Sequence, residues 1–295
     1  VEEVKIAEQA LITSAQIIAV EILQLRKQQS HIGQQISSLE TIASFIEKAA
    51  ANGELSILDA AQTRVEMQSL KVKQKQLTSE IAVLTTRIKQ YIGLPANKPL
   101  TVSGSLPSVR LPSNALTLWN RPDYRAKTME AQYAKSNILL EKSKRYDDFE
   151  LSFAGAAGAA EDAPDGVEPE AQIGMGISIP LPLYNKNEGN IQTATATAQR
   201  NLLEKSALAQ EIKVQVATYR QEMRTWLNQN TEINTSLLPL ANKNSEDLET
   251  AYKAGQGDFT SLLRSKSQSL DLQFKLLENN LKFHQARVKY FAALG

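Results

Sequence analysis

From Glu54 to Ile92 the chain runs 39 residues without a glycine or a proline. As one helix that stretch is roughly 58 Å long. Within it Leu70, Gln74, Leu77, Ile81, Leu84, Ile88 and Tyr91 recur at alternating spacings of four and three, which is a coiled-coil seam with one polar member. Such a seam has to be buried against other long helices, and the sequence supplies them. Residues 1–52 hold one glycine, Gly33, and no proline, so they read as a single helix ended by Gly53. Helix is also predicted from Asn190 to Ala254, roughly 97 Å if unbroken, with a bend at Pro239. The last segment, Asp258 to Leu294, carries Leu270, Phe274, Leu277, Leu281, His284, Val288 and Phe291 at the same spacing. A second stripe of Leu272, Leu276, Phe283 and Tyr290 widens its apolar arc enough to touch more than one neighbour.

The helical period fails in two places. Residues 93–114, GLPANKPLTVSGSLPSVRLPSN, are rich in proline, glycine and serine and read as an extended connector. Helix resumes at Pro122, a good first-turn residue, and is expected to reach about Tyr146. The period then changes to two. Phe149, Leu151 and Phe153 alternate with Glu150, Ser152 and Ala154, and Ile173, Met175, Ile177, Ile179 and Leu181 alternate with Gln172, Gly174, Gly176 and Ser178. Two strands, each with one apolar and one small or polar face, are predicted, joined by the acidic loop AAEDAPDGVEPE.

A repeat underlies the helices. Shifting the sequence by 202 places Gly53 on Gly255 and Gly93 on Gly295 without a gap, although only four of the 41 aligned positions are identical. The order of elements is what repeats: long helix, glycine break, hydroxyl or acid three residues on, heptad helix. This predicts two antiparallel helical hairpins. A left-handed glycine ends the first helix of each, and Ser56 or Asp258 caps the next.

Composition excludes several function classes. Lysine plus arginine number 33 against 32 acids, and a near-neutral chain lacks the basic face that nucleic acid requires. Aromatics are 6% and apolar residues 42%, which suits long helices with narrow stripes. Without cysteine there is no disulfide, thiolate metal site or cysteine nucleophile. No run of eighteen consecutive apolar residues occurs, so a transmembrane helix is not expected. His31 has no companion ligand, His284 sits on a seam, and Met67, Met129, Met175 and Met223 are scattered, so no metal site is predicted. GAAGAAEDAPDG lacks the lysine and the strand-to-helix context of a phosphate loop. The KSKR run at 142–145 reads as a solvated helix end, and Glu2/Glu3 and Asp147/Asp148 as helix-end acids. No enzyme and no cofactor are expected.

The segments YKAGQGDFTSLLRSK, NGELSILDAAQTR, Pro239 ahead of the second tip, and above all IPLPLYNKNEGNI together resemble the outer-membrane efflux proteins, the TolC-like outer membrane factors of tripartite exporters. IPLPLYNKNEGNI is similar to a stretch of the heavy-metal efflux branch. The resemblance spans essentially the whole chain. It implies a mainly α fold of long coiled-coil hairpins plus a transmembrane-type β-hairpin, with a further helical segment and β-hairpin ahead of Val1. It divides the chain into a first helical hairpin (1–92), a connector (93–121), a helix (122–147), a β-hairpin (148–183) and a second helical hairpin (184–295).

The resemblance also implies a homotrimer in outer-membrane lipid, most of it periplasmic, in a Gram-negative bacterium. It would serve a periplasmic adaptor and an inner-membrane pump as a passive exit duct, with metal cations as a cargo. Three copies of two strands fall short of the usual smallest barrel of about eight, so the upstream hairpin would be needed. By position, the adaptor-docking tips are Asn52, Gly53, Glu54, Leu55 and Ser56 on one hairpin and Ala254, Gly255, Gln256, Gly257 and Asp258 on the other. Tyr252 and Asp59 match two members of the family's gate, Gly257 stands where that gate has an arginine, and Ser261 and Arg264 occupy positions that are acidic in some relatives. Two rivals remain. A periplasmic adaptor would place a lipoyl-like pair of half-motifs around one hairpin, and a soluble coiled-coil scaffold leaves the two strands unexplained.

Overall fold

The computed structural model describes residues 2–113, 117–146, 148–162, 166–179 and 186–295. The alternating residue Leu181, Asp147 of the acid pair and most of the IPLPLYNKNEGNI segment (180–185) lie outside the described residues. The chain is mainly helical: α1 (Glu2–Ala51), α2 (Ile57–Tyr91), a short 3-10 turn (Leu118–Asn120), α3 (Pro122–Ser143), β1 (Glu150–Asp162), β2 (Gly166–Ser178), α4 (Glu188–Glu232), a π-turn (Ile233–Leu237), α5 (Leu238–Lys253) and α6 (Phe259–Leu294). It divides into two compact units, Val1–Asp123 with Gln210–Gly295, and Tyr124–Ala209.

In the first unit the helices neighbour one another in the order α2, α1, α6, α5. Each adjacent pair is antiparallel. Gln29 bonds Thr78 between α1 and α2, Ser38 meets Lys266 between α1 and α6, and Asn242 bonds Ser269 between α5 and α6. The shared core is built on the heptad period. On α1 Ile18, Ile22, Leu25, Ile32, Leu39 and Ile46 are buried, and on α2 Met67, Leu70, Leu77, Leu84 and Ile88 meet them. Each fully buried aliphatic side chain contributes about 1.5–3 kcal/mol, which is why seam, not propensity, holds helices of this length. Gln74, the polar member, lies opposite Gly33, with its amide nitrogen 3.5 Å from where a Cβ would stand.

On α6 the apolar surface is two seams. Leu270, Leu277 and His284 are buried along one, and Asn279, Phe283, Ala286, Tyr290 and Ala293 along the other. Phe291 departs from the expectation: it is 47% exposed, because the C-terminal turns of α6 bury the second seam instead.

Four further expectations are corrected. The bend at Pro239 is taken up one turn earlier as the π-turn Ile233–Leu237. Proline has no N–H to donate and its ring crowds the carbonyl four residues back, so the helix widens there. Helix α3 ends at Ser143, not Tyr146. The strands are 13 residues each and absorb most of the loop expected between them, with Ala159 paired to Pro169 and Asp162 to Gly166. A proline is tolerated there because both strands are edges. Finally, an eighteen-residue stretch of α1 is apolar and long enough to cross a membrane by hydropathy, although no uninterrupted apolar run exists. Counting consecutive residues misses it because single polar and charged residues, among them Thr13, Gln16 and Glu21, interrupt the apolar part of α1. In the structure α1 packs its seam on α2 and α6.

The connector is strapped to the first unit through its backbone. Lys89 donates to the Ala96 carbonyl at 2.7 Å, Arg26 to that of Val102, Arg220 to that of Pro112 at 3.4 Å and Tyr290 to that of Ser113 at 3.2 Å. In the second unit, Asn187 takes a positive φ of 55° just before α4, and its amide donates to Glu141 on α3.

Candidate functional site

The two glycine tips close with the same hydrogen bonds. At the first, Glu54 N donates to Ala49 O (3.0 Å) and Gly53 N to Ala50 O (3.0 Å). At the second, Gln256 N donates to Ala251 O (2.9 Å) and Gly255 N to Tyr252 O (3.0 Å). This paired closure satisfies the last carbonyls of a helix and requires a left-handed residue. Gly53 and Gly255 supply it with φ of 79° and 71°. Three residues later Ser56 accepts from Leu58 N, and Asp258 accepts from Ser261 N at 2.7 Å, starting α2 and α6.

The Asp258 carboxyl is held below its ordinary value, first by that backbone bond and then by the Ser261 hydroxyl. Asn52, Gly53, Glu54, Ser56, Ala254, Gly255, Gln256 and Asp258 are exposed; Leu55 and Gly257 are half-buried, and Leu55 packs on the core. Gly257 allows no side chain in this loop: a Cβ would stand 2.7 Å from the Tyr252 nitrogen.

Behind the exposed turns the two hairpins are joined. Tyr252, at the end of α5, is buried against Phe259 with ring centroids 5.5 Å apart, and its hydroxyl donates to Asp59 Oδ2 in the first turn of α2 at 2.8 Å. Burial, followed by the bond to Asp59 and its charge, pushes the phenol well above its ordinary pKa, so it remains the donor. Thus Tyr252 and Asp59 are brought together. Ser261 and Arg264 are not part of that contact: both are exposed, and Ser261 serves the Asp258 cap.

A second junction was missed in the sequence. Lys266 on α6 lies 2.7 Å from Glu249 on α5 and 3.4 Å from the Ser38 hydroxyl on α1, so one ammonium links both hairpins. Burial pushes the Glu249 carboxyl up, but hydrogen bonds from Lys253 and Lys266 outweigh it and hold it below its usual range. The signal in the sequence is slight: Lys266 lies four residues before Leu270 but one place off the alternating spacing of the seam, which falls on Ser267.

The groove between Gln9, Thr13, Arg121 and Lys289 does not assemble a reaction centre. Its arginine is engaged, donating to Asp123 and to the Ala293 carbonyl. Among the described residues no group of three or more potential metal ligands converges.

The arrangement of paired hairpins and one β-hairpin defines the fold as that of outer-membrane channel protomers of the TolC-like type. Among solved structures, the transmembrane channel CusC matches with a TM-score of 0.78 and 16% identity over 100% of this chain and 70% of that one. The outer-membrane channel OprN matches at 0.73 and 15% identity over 100% and 68%. The outer membrane protein VceC of Vibrio cholerae matches at 0.71 and 16% identity over 97% and 70%. No protein-family model matches the chain, and no curated protein does.

Proposed function

We propose that the chain is a protomer of an outer-membrane exit duct in a tripartite efflux system. The observation that carries this reading is the combination of two side-by-side hairpins, closed by the same pair of backbone hydrogen bonds and joined through Tyr252 and Asp59, with one β-hairpin whose apolar residues alternate. A duct needs long helices that bury seams without a thick core, and a membrane segment whose backbone is paired strand to strand. Likeness of fold to CusC, OprN and VceC supports the same reading.

In it, three copies assemble in outer-membrane lipid and the bulk of each helix lies in the periplasm. The tips at 52–56 and 254–258 receive a periplasmic adaptor, since exposed small residues let a partner's backbone approach the turns. An inner-membrane pump supplies the driving force. The conduit makes and breaks no bonds. Metal cations are the cargo assigned, on the resemblance of residues 179–191 to the heavy-metal branch.

The test is the oligomeric state of the full-length gene product extracted in detergent, by light scattering, followed by reconstitution in planar bilayers. A trimer that conducts is expected. A water-soluble monomer or dimer without conductance would sink the proposal.

A further inference from the structure

Among the described residues Asn187 is the only one other than glycine with a positive φ, 55°. A left-handed backbone is costly for most side chains and least so for asparagine. It persists where the surroundings hold it, and here two helix ends do. On one side Asn187 closes α3. Its Nδ2 donates to the Glu141 carbonyl at 2.8 Å and to Glu141 Oε2 at 2.9 Å. That carbonyl is among the last four of α3, which a helix leaves without a partner of its own. Lys144, 2.7 Å from Oε1, holds the same carboxylate from the other side. The Glu141 carboxyl lies below its ordinary pKa, first through Lys144 and then through Asn187.

On the other side Asn187 opens α4. Its carbonyl accepts from Ile191 N at 3.1 Å, and its Oδ1 accepts from the Asn190 amide at 2.6 Å. Arg145 adds a longer bond, 3.4 Å, to the Lys186 carbonyl. One side chain therefore serves the end of α3 with its donor and the start of α4 with its acceptor. The β-hairpin is strung between these same two helix ends. β1 starts at Glu150, β2 ends at Ser178, and those two residues are paired. The chain joins them to the helices through residues 144–149 and 179–187. Paired strands hold facing Cα atoms about 5 Å apart, so the ladder fixes the two links at one end and Asn187 fixes them at the other.

We infer that Asn187 is the positioning residue at the root of the β-hairpin, holding α3 and α4 at one spacing so that both strands leave the helices from a fixed base. The consequence for membrane insertion rests on the channel reading above. The role needs three properties at once: a left-handed backbone, an amide donor toward Glu141 and an oxygen toward α4. Glycine supplies only the first. Aspartate has no amide to donate and would set a second carboxylate against that of Glu141.

The experiment places spin labels at Lys142 and Gln192, exposed positions on α3 and α4, in the full-length product. The 295 residues hold no cysteine to compete for the label. The wild type should give one narrow distance distribution. Asn187→Gly and Asn187→Asp should each broaden it. Asn187→Asp/Glu141→Gln should narrow it again, because a glutamine amide then donates to the aspartate. In planar bilayers each single variant should give about five-fold fewer conducting insertions per unit of protein, the scale of one lost hydrogen bond. A narrow distribution in Asn187→Gly overturns the inference, since the backbone turn alone then suffices. So does a double variant no narrower than Asn187→Asp, or a wild type that is itself broad. A narrow wild type that never conducts, with the variants broadened as expected, leaves the role of Asn187 standing and overturns the channel reading.

Discussion

The phenol of Tyr252 stands 2.8 Å from the Asp59 carboxylate, so the tip of the second hairpin is hydrogen-bonded to the first turn of α2 in the first. A bond to a charged acceptor contributes about 1.5–3 kcal/mol. Tyr252→Phe removes it while retaining the ring that packs on Phe259. Spin labels at Asn52 and Gln256 should report a broader distance distribution in this variant than in the wild type. Asp59→Ala should broaden it similarly, and the double variant should add little, because both remove one interaction. Unchanged distributions in Tyr252→Phe would mean that packing alone sets the tip spacing.

The tip glycines should differ in how they respond to alanine. At Gly53 and Gly255 nothing lies within 4 Å of an added Cβ, and the cost is the left-handed backbone alone, about 1–2 kcal/mol each. At Gly257 the added Cβ meets the Tyr252 backbone at 2.7 and 2.9 Å, so the loop itself has to shift. Limited proteolysis should therefore cut Gly257→Ala near the second tip faster than Gly255→Ala. The reverse order would contradict this loop geometry.

Asn279 is fully buried on the second seam of α6, and neither end of its amide has a hydrogen-bond partner. Asn230 is also buried and its Oδ1 likewise has no partner, but its amide nitrogen donates to Asn280 at 2.8 Å. Replacing an unsatisfied buried amide with an apolar group of similar size stabilises, whereas removing one partner of a made bond costs about 1–3 kcal/mol. Asn279→Leu should raise the thermal midpoint in far-UV circular dichroism, and Asn230→Leu should lower it. A lower midpoint in both would mean that Asn279 is satisfied after all.

What the sequence made legible follows from period. The seam on α2, both hairpins, the tips and the alternation of Phe153 or Ile173 all depend on residues a fixed number of places apart. The Asp59–Tyr252 pair became visible only through resemblance, since 193 residues separate the two. Lys266 was missed because its partners Glu249 and Ser38 sit on different helices, and no local pattern encodes their meeting. The strands ran longer than expected because a ladder between two exposed strands tolerates alanine, glycine and an edge proline, which carry little hydrophobic signal. Sequence shows where Pro239 sits but not where the helix absorbs its strain, so it predicts a bend at the proline and not the π-turn at Ile233–Leu237.

His284 sets a pH dependence. Burial, then the positive charges of Arg287 and Lys27, pulls its pKa down from the ordinary 6.5 to about 4. Between those values the unfolded chain binds a proton that the folded one does not. Stability is thus fully present above about pH 6.5, declines as pH falls toward 4, and loses no more to this group below that. The loss is on the order of 2 kcal/mol, somewhat less than the full shift allows because the surroundings relax around a new charge. Carboxylates elsewhere titrate in an overlapping range, so the informative quantity is the difference between the wild type and His284→Leu. The thermal midpoint of the wild type should fall more steeply than that of the variant between pH 6.5 and 4, and the two curves should run parallel above it. Parallel curves over the whole range would mean that the imidazole meets water or a carboxylate in the assembled protein and is not held neutral by burial beside Arg287 and Lys27.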